Sequence, residues 1–170
     1  MKKIARIFSV VMIISIMFSV TALAENDVVW RESTLLPQNV HYSIGYGHAE
    51  RGNYLSSAYI SITNEGYGSI GILGNTLCHV PVKKIRMAIY LDRWDENEED
   101  WFQVDYFNFT YEDKEEKKDL TSATESFNVI GLPTGCYYRL RGFICVWPFS
   151  GGSEMQGPVT EGILITDGAV

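Results

Sequence analysis

Gly135-Cys136-Tyr137-Tyr138-Arg139-Leu140-Arg141-Gly142-Phe143-Ile144-Cys145-Val146 decides how this chain folds. Tyr138, Leu140, Gly142, Ile144 and Val146 share one face under the two-residue period of a strand. Tyr137, Arg139, Arg141, Phe143 and Cys145 share the other. The first face is apolar and reads as the core side. The second is mixed, and its two arginines are expected to lay their stems on the sheet and keep their heads in water. Leu132-Pro133-Thr134-Gly135, immediately upstream, is turn chemistry and sets the start of the strand.

The same period recurs on both sides of this stretch. Ser57 to Thr63 and Ser69 to Cys78 alternate around the turn cluster Asn64-Glu65-Gly66-Tyr67-Gly68. Lys83 to Trp94 puts Ile85, Met87, Ile89 and Leu91 on one face, and Trp101 to Tyr111 returns after the charged loop Asp95–Asp100. Ser122 to Ile130 precedes the deciding stretch. Glu154 to Thr166 follows it and is broken at Gly157-Pro158. About seven strands at short intervals, without a long helical pattern, predict an all-β fold: an antiparallel β-sandwich of immunoglobulin or fibronectin type III style. The Leu132…Tyr138-x-Leu140 spacing resembles the segment entering the penultimate strand of fibronectin type III domains, where a tyrosine braces the corner.

Residues 1–24 read as a signal peptide that is removed. Met1 to Arg6 is a basic start, Ile7 to Val20 is uncharged and apolar, and Ala22-Leu23-Ala24 is a small-x-small cleavage site. The 14-residue apolar run falls short of the roughly 20 residues that a spanning helix needs. Residues 25–52 lack periodicity and read as an irregular arm, and residues 53–170 as a single sandwich domain. Removing Lys2, Lys3 and Arg6 from the 14 basic residues leaves 11 against 21 acidic ones, a net charge of −10. Such a surface repels phosphate backbones and anionic lipid, so neither nucleic acid nor a membrane surface is an expected partner. The expected location is extracellular, and the oligomeric state is open.

Three cysteines in an exported chain leave a choice. Cys136 and Cys145 fall on opposite faces of one strand and cannot pair there. Either Cys78 reaches Cys136 across the sandwich in a disulfide, or all three are small apolar residues of the interior. Gly66-Tyr67-Gly68-Ser69-Ile70-Gly71 fits a dinucleotide-binding pattern, but no helix opens after it, so it reads as a hairpin. His41, His48 and His79 offer no closely spaced ligand pair, so no metal or other cofactor is expected. The acidic loop lacks the ligand spacing of a calcium hand and reads as a solvated hairpin.

The region from about Ile60 to Ile165 resembles a family of small secreted proteins of Gram-positive bacteria, catalogued as a domain of unknown function. The residues that carry this are Gly74-x-Thr76, Ile89-Tyr90-Leu91-x-Arg93-Trp94, Trp101, and Gly135-x-Tyr137-Tyr138-Arg139-x-Arg141-Gly142. Gly151-Gly152-x-Glu154 and Gly162-Ile163-x-Ile165 complete it. The resemblance implies export and a compact β-domain, and it implies no reaction. The family pattern often carries a histidine where this chain has Ile144.

No catalytic constellation stands out, so the expectation is a non-enzymatic binding protein with an extracellular protein or glycan as partner. The aromatic residues give this its first alternative. Trp94 and Trp101 flank one hairpin and, if exposed, would stack on sugar rings as in a carbohydrate-binding module. Cross-strand packing is their competing use. A second alternative is a small glycan hydrolase using carboxylates of the acidic hairpin, Asp95 and Glu96 among them.

Overall fold

The computed structural model describes residues 30–47 and 52–168. The proposed signal peptide therefore lies outside the described residues, as do His48 and the first part of the arm. Nine strands follow in order: β1 Tyr42–Tyr46, β2 Leu55–Gly66, β3 Ser69–Cys78, β4 Lys84–Asp95, β5 Asp100–Glu112, β6 Ser122–Val129, β7 Cys136–Trp147, β8 Glu154–Gln156 and β9 Ile163–Ile165. One sheet has the order β1-β2-β3-β6. The other has the order β5-β4-β7-β8, with β9 also paired to β7. All named pairings are antiparallel.

The sandwich follows from alternation. β2 and β3 send Ile60, Ile62, Ile70 and Ile72 inward, and β4 sends Ile85, Met87, Ile89 and Leu91. β7 adds Tyr138, Leu140, Ile144 and Val146, and these residues form one buried cluster between the sheets. Counted from β2, the strands follow the A-B-E over C′-C-F-G arrangement of immunoglobulin-like sandwiches, with β1 added outside the first strand. The predicted brace is present: the Tyr138 hydroxyl donates to the Pro133 carbonyl at 3.0 Å, five residues upstream. Its side chain is otherwise fully buried.

The edges close by different means. Between β5 and β6, Phe127 packs on Phe107 and Phe109, with ring centroids 4.8 and 5.6 Å apart. Tyr111 bonds Glu125 across the same gap. Burial first, and then that carboxylate, push the Tyr111 hydroxyl up to about 12. At the opposite edge the Glu154 carboxylate accepts the backbone N–H groups of Asn53, Tyr54 and Leu55 at 2.8, 2.9 and 2.8 Å. Burial raises the Glu154 pKa, but the three N–H donors outweigh it, and the net shift is below the ordinary carboxylate value.

Two boundaries differ from the sequence reading. The arm of residues 25–52 is not irregular throughout, because Tyr42–Tyr46 pairs with Tyr59–Thr63 of β2. Ser43 and Gly45 face inward there, small residues that give no hydrophobic alternation to read. Gly45 is needed because a Cβ would stand 2.2 Å from the Val159 carbonyl oxygen. The last strand is two short ones, β8 and β9, separated by the Gly157–Gly162 segment that begins at the expected break. The nucleotide-like glycine motif is a hairpin: Gly66 pairs Ser69 around Tyr67-Gly68, whose φ angles of 51° and 69° are those of a type I′ turn.

Candidate functional site

The outer face of the β5-β4-β7 sheet carries the chemistry. The heads of Arg139 and Arg141 are not in water, contrary to the sequence reading; their side chains are 13% and 19% exposed. Both converge on Asp92, a β4 residue that is 1% exposed. Arg139 Nε reaches Asp92 Oδ2 at 3.0 Å, and Arg141 donates from Nε and Nη2 to the two carboxylate oxygens at 2.6 and 2.9 Å. The register puts Asp92 opposite Arg139 and Tyr90 opposite Arg141, so the trio is a cross-strand product of the β4–β7 ladder. Burial lowers the Arg139 pKa, Asp92 raises it again, and the net shift is downward from the usual guanidinium value. Arginine stays charged regardless.

Aromatic rings alternate with these cations. The Arg139 guanidinium lies 4.6 Å over Trp101, and that of Arg141 lies 4.6 Å over Trp30 and 5.2 Å over Tyr90. Tyr90 in turn packs against Tyr106 at 5.0 Å. Trp30 belongs to a segment preceding β1 that runs beside the 159–162 segment. Its Nε1 donates to the Gly142 carbonyl at 2.7 Å, and Gly162 donates its N–H to the Thr34 carbonyl at 2.8 Å and accepts at its own carbonyl from the Leu36 N–H at 2.9 Å. Glu161 holds it by accepting from the Thr34 backbone and hydroxyl and by pairing Arg31 at 2.8 Å. Burial pulls the Glu161 pKa up, and these donors bring it below its ordinary value.

Trp94 and Trp101 pair across the β4–β5 hairpin, edge to face, with centroids 5.3 Å apart. They are not equivalent. Trp101 is half-buried and lines the first cleft, with Arg139 on its face and its ring edge against Gly162, where a Cβ would stand 2.6 Å from the ring. Trp94 lines two clefts. The first, about 440 Å³, is bounded by Trp30, Glu99, Asp100, Trp101 and Arg139 among others. The second, about 340 Å³, lies beside Arg93, Asp95, Asn97, Phe102 and Tyr137. Trp94 is thus the common wall, and Trp101 is its support.

Other candidates separate. Asp95 Oδ1 accepts from the backbone of Asn97 and Glu98 at 2.8 and 3.4 Å and so caps the hairpin turn. These N–H donors lower the Asp95 pKa. Among the described residues, no group of three or more His, Cys, Asp or Glu side chains could hold a metal ion. The Cys78–Cys136 pairing is corrected: Cys78, Cys136 and Cys145 are all free thiols. Cys78 ends β3, its N–H bonded to the Thr121 carbonyl, six residues before the β4 start, whereas Cys136 begins β7 at the β4 end. They lie at opposite ends of the sandwich, beyond disulfide reach. Burial pushes the Cys78 and Cys145 thiols up to about 11. Leu132–Gly135 is the loop between β6 and β7, as expected for a turn.

Sequence reasoning did not single out Trp30, Asp92 or the convergence of the two arginines. Asp92 had a signal, as a lone acid on a strand facing two arginines spaced by two. Trp30 had none, because its partner segment lies more than a hundred residues away. Among the described residues no helix is long and apolar enough to cross a membrane. No curated protein matches the chain. A family model described as "Family of unknown function (DUF6147)" matches residues 38–152, more than half of the chain. The sandwich from β1 to the end of β7, with both arginines and both hairpin tryptophans, is therefore a member of that family of unknown function.

Proposed function

We propose that this protein is an exported, non-catalytic binding domain whose ligand occupies the clefts on either side of Trp94. One observation carries the reading. Trp94 packs edge to face on Trp101, which lies in turn between Arg139 and Gly162, so an aromatic wall backed by packed neighbours stands between two openings. Rigid, preorganised aromatic surface is what binding sites use, because little side-chain entropy is lost on contact. Export rests on the basic start, apolar run and small-x-small site of residues 1–24.

The test is retention of purified residues 25–170 on insoluble peptidoglycan, mucin and plant polysaccharides. The expected result is retention on at least one matrix, lost in Trp94→Ala while its thermal transition matches that of the unmodified chain. Retention on none, or retention that Trp94→Ala leaves intact, overturns the assignment of the site. Hydrolysis of any member of a panel of esters, peptides and glycosides overturns the non-catalytic part.

A further inference from the structure

The two clefts repeat one chemistry, and that repetition defines a ligand. The first sets the carboxylates of Glu32, Glu99 and Asp100 against the guanidinium groups of Arg31, Arg139 and Arg141; the second sets Asp95 and Glu96 against Arg93, with the amide of Asn97 beside them. Each therefore presents acceptors and donors of both signs around the same indole. A site for a polyanion carries cations in excess, and neither cleft does: the first is balanced and the second has one carboxylate more than its single guanidinium. Alcohol groups donate and accept at once, so a mixed rim of this kind satisfies a polyol without selecting a charge.

The aromatic walls supply the rest. The negative face of an indole ring attracts the weakly positive C–H groups on the flat side of a pyranose, and it excludes water from that contact. Trp94 walls both clefts, and Tyr137 and Phe102 wall the second only. The two clefts adjoin, because Trp94 lines both.

We infer that the ligand is a neutral, extended oligosaccharide that crosses Trp94, with consecutive sugar units in the two clefts. This rests on the reading of Trp94 as the binding wall and adds the ligand class and the number of subsites.

The experiment is titration of intrinsic tryptophan fluorescence with neutral cello-, xylo-, malto- and chito-oligosaccharides, from monosaccharide to hexamer. Oligogalacturonate and heparin fragments serve as charged comparators. One neutral series should bind about tenfold more tightly as a tetramer than as a monosaccharide, and the charged fragments should not compete. Tyr137→Ala should lower tetramer affinity toward that of the monosaccharide and leave the monosaccharide unchanged, because only the second cleft loses one of its aromatic walls. Trp94→Phe serves where Trp94→Ala fails to fold, and should retain part of the affinity.

Equal affinity across chain lengths overturns the two-subsite assignment. Binding of the charged fragments, or no response to any neutral series, overturns the ligand class. If Trp94-dependent retention on an insoluble matrix persists in that case, the cleft stands and only the neutral oligosaccharide falls. If retention is absent as well, both readings fall together.

Discussion

The inner and outer faces of β7 are built from neighbouring residues and held by opposite physics. On the inner face, Leu140, Ile144 and Val146 are buried among the aliphatic residues of both sheets. On the outer face, Arg139 and Arg141 lie almost as deep, but around the carboxylate of Asp92 and under the rings of Trp30, Tyr90 and Trp101. Apolar packing is non-directional, so the inner face tolerates substitutions that keep volume. The outer face depends on every partner being present, because a charge left alone out of water costs several kcal/mol. The difference explains why the candidate site belongs to the outer face: directional groups fix Trp101, and through it Trp94, in a way that a greasy contact does not.

The comparison breaks most readily at Asp92. Asp92→Ala strands two guanidinium groups and should cost about 3–5 kcal/mol, read from urea unfolding midpoints. Leu140→Ala, on the opposite face, should cost about 2–5 kcal/mol through the cavity it leaves. The sharper distinction comes from replacing Asp92, Arg139 and Arg141 together by apolar residues of similar volume. That triple variant should lose less stability than Asp92→Ala alone. A triple variant at least as unstable as Asp92→Ala would show that the trio does more than neutralise itself.

Tyr138 joins the two kinds of interaction in one side chain. Tyr138→Phe keeps the buried ring and removes the bond to Pro133, so the loss should be about 0.5–1.5 kcal/mol, well below that of Leu140→Ala. A loss as large as the Leu140→Ala value would mean that the corner, rather than the ring, organises the core.

The carboxylate latches at Glu154 and Glu161 give a smaller effect that depends on pH. Their folded pKa values lie below the ordinary carboxylate value of about 4.3. The stability they contribute is therefore complete above that unfolded value and is lost as pH falls through the folded one. Melting temperature should decline below about pH 4.5, and Glu154→Gln should flatten part of that decline. An unchanged acid limb in Glu154→Gln would remove this latch from the account.

The smallest perturbation concerns the thiols. Intact mass should show three free cysteines and no disulfide. A thiol reagent at neutral pH should modify Cys136 first, because Cys78 and Cys145 are buried with pKa values near 11. Three equally fast modifications in the native state would contradict the burial described for the other two.

Much of this arrangement could be read from the chain. The period of two located β2 to β7 within a few residues, and the spacing of Leu132 to Tyr138 anticipated the corner bond. Residues whose partners are local or strictly alternating were legible. β1 was not, because Ser43 and Gly45 are small inward residues that carry no hydrophobic signal. The candidate site was half legible. Trp94 and Trp101 stood out as aromatic residues flanking a hairpin, yet their inequality depends on Gly162, more than sixty residues later in the chain. The heads of Arg139 and Arg141 were expected in water because nothing in β7 itself supplies a counter-charge. Asp92 supplies it from 47 residues upstream of Arg139.

The pairing of β4 with β7 also governs the time the chain needs to reach this state. The ladder joins Lys84 to Trp147 and Arg93 to Tyr138 and forms the middle of its sheet. None of its bonds can form until the whole intervening chain, with β5 and β6, has been drawn into a loop, and the entropy of closing that loop is lost before any contact compensates it. Refolding should therefore fall on the order of milliseconds to seconds, the range of sandwiches dominated by distant pairings. During that interval β4 is an apolar strand with both edges open, so dilution and prompt closure by β5 protect the nascent chain from its own copies.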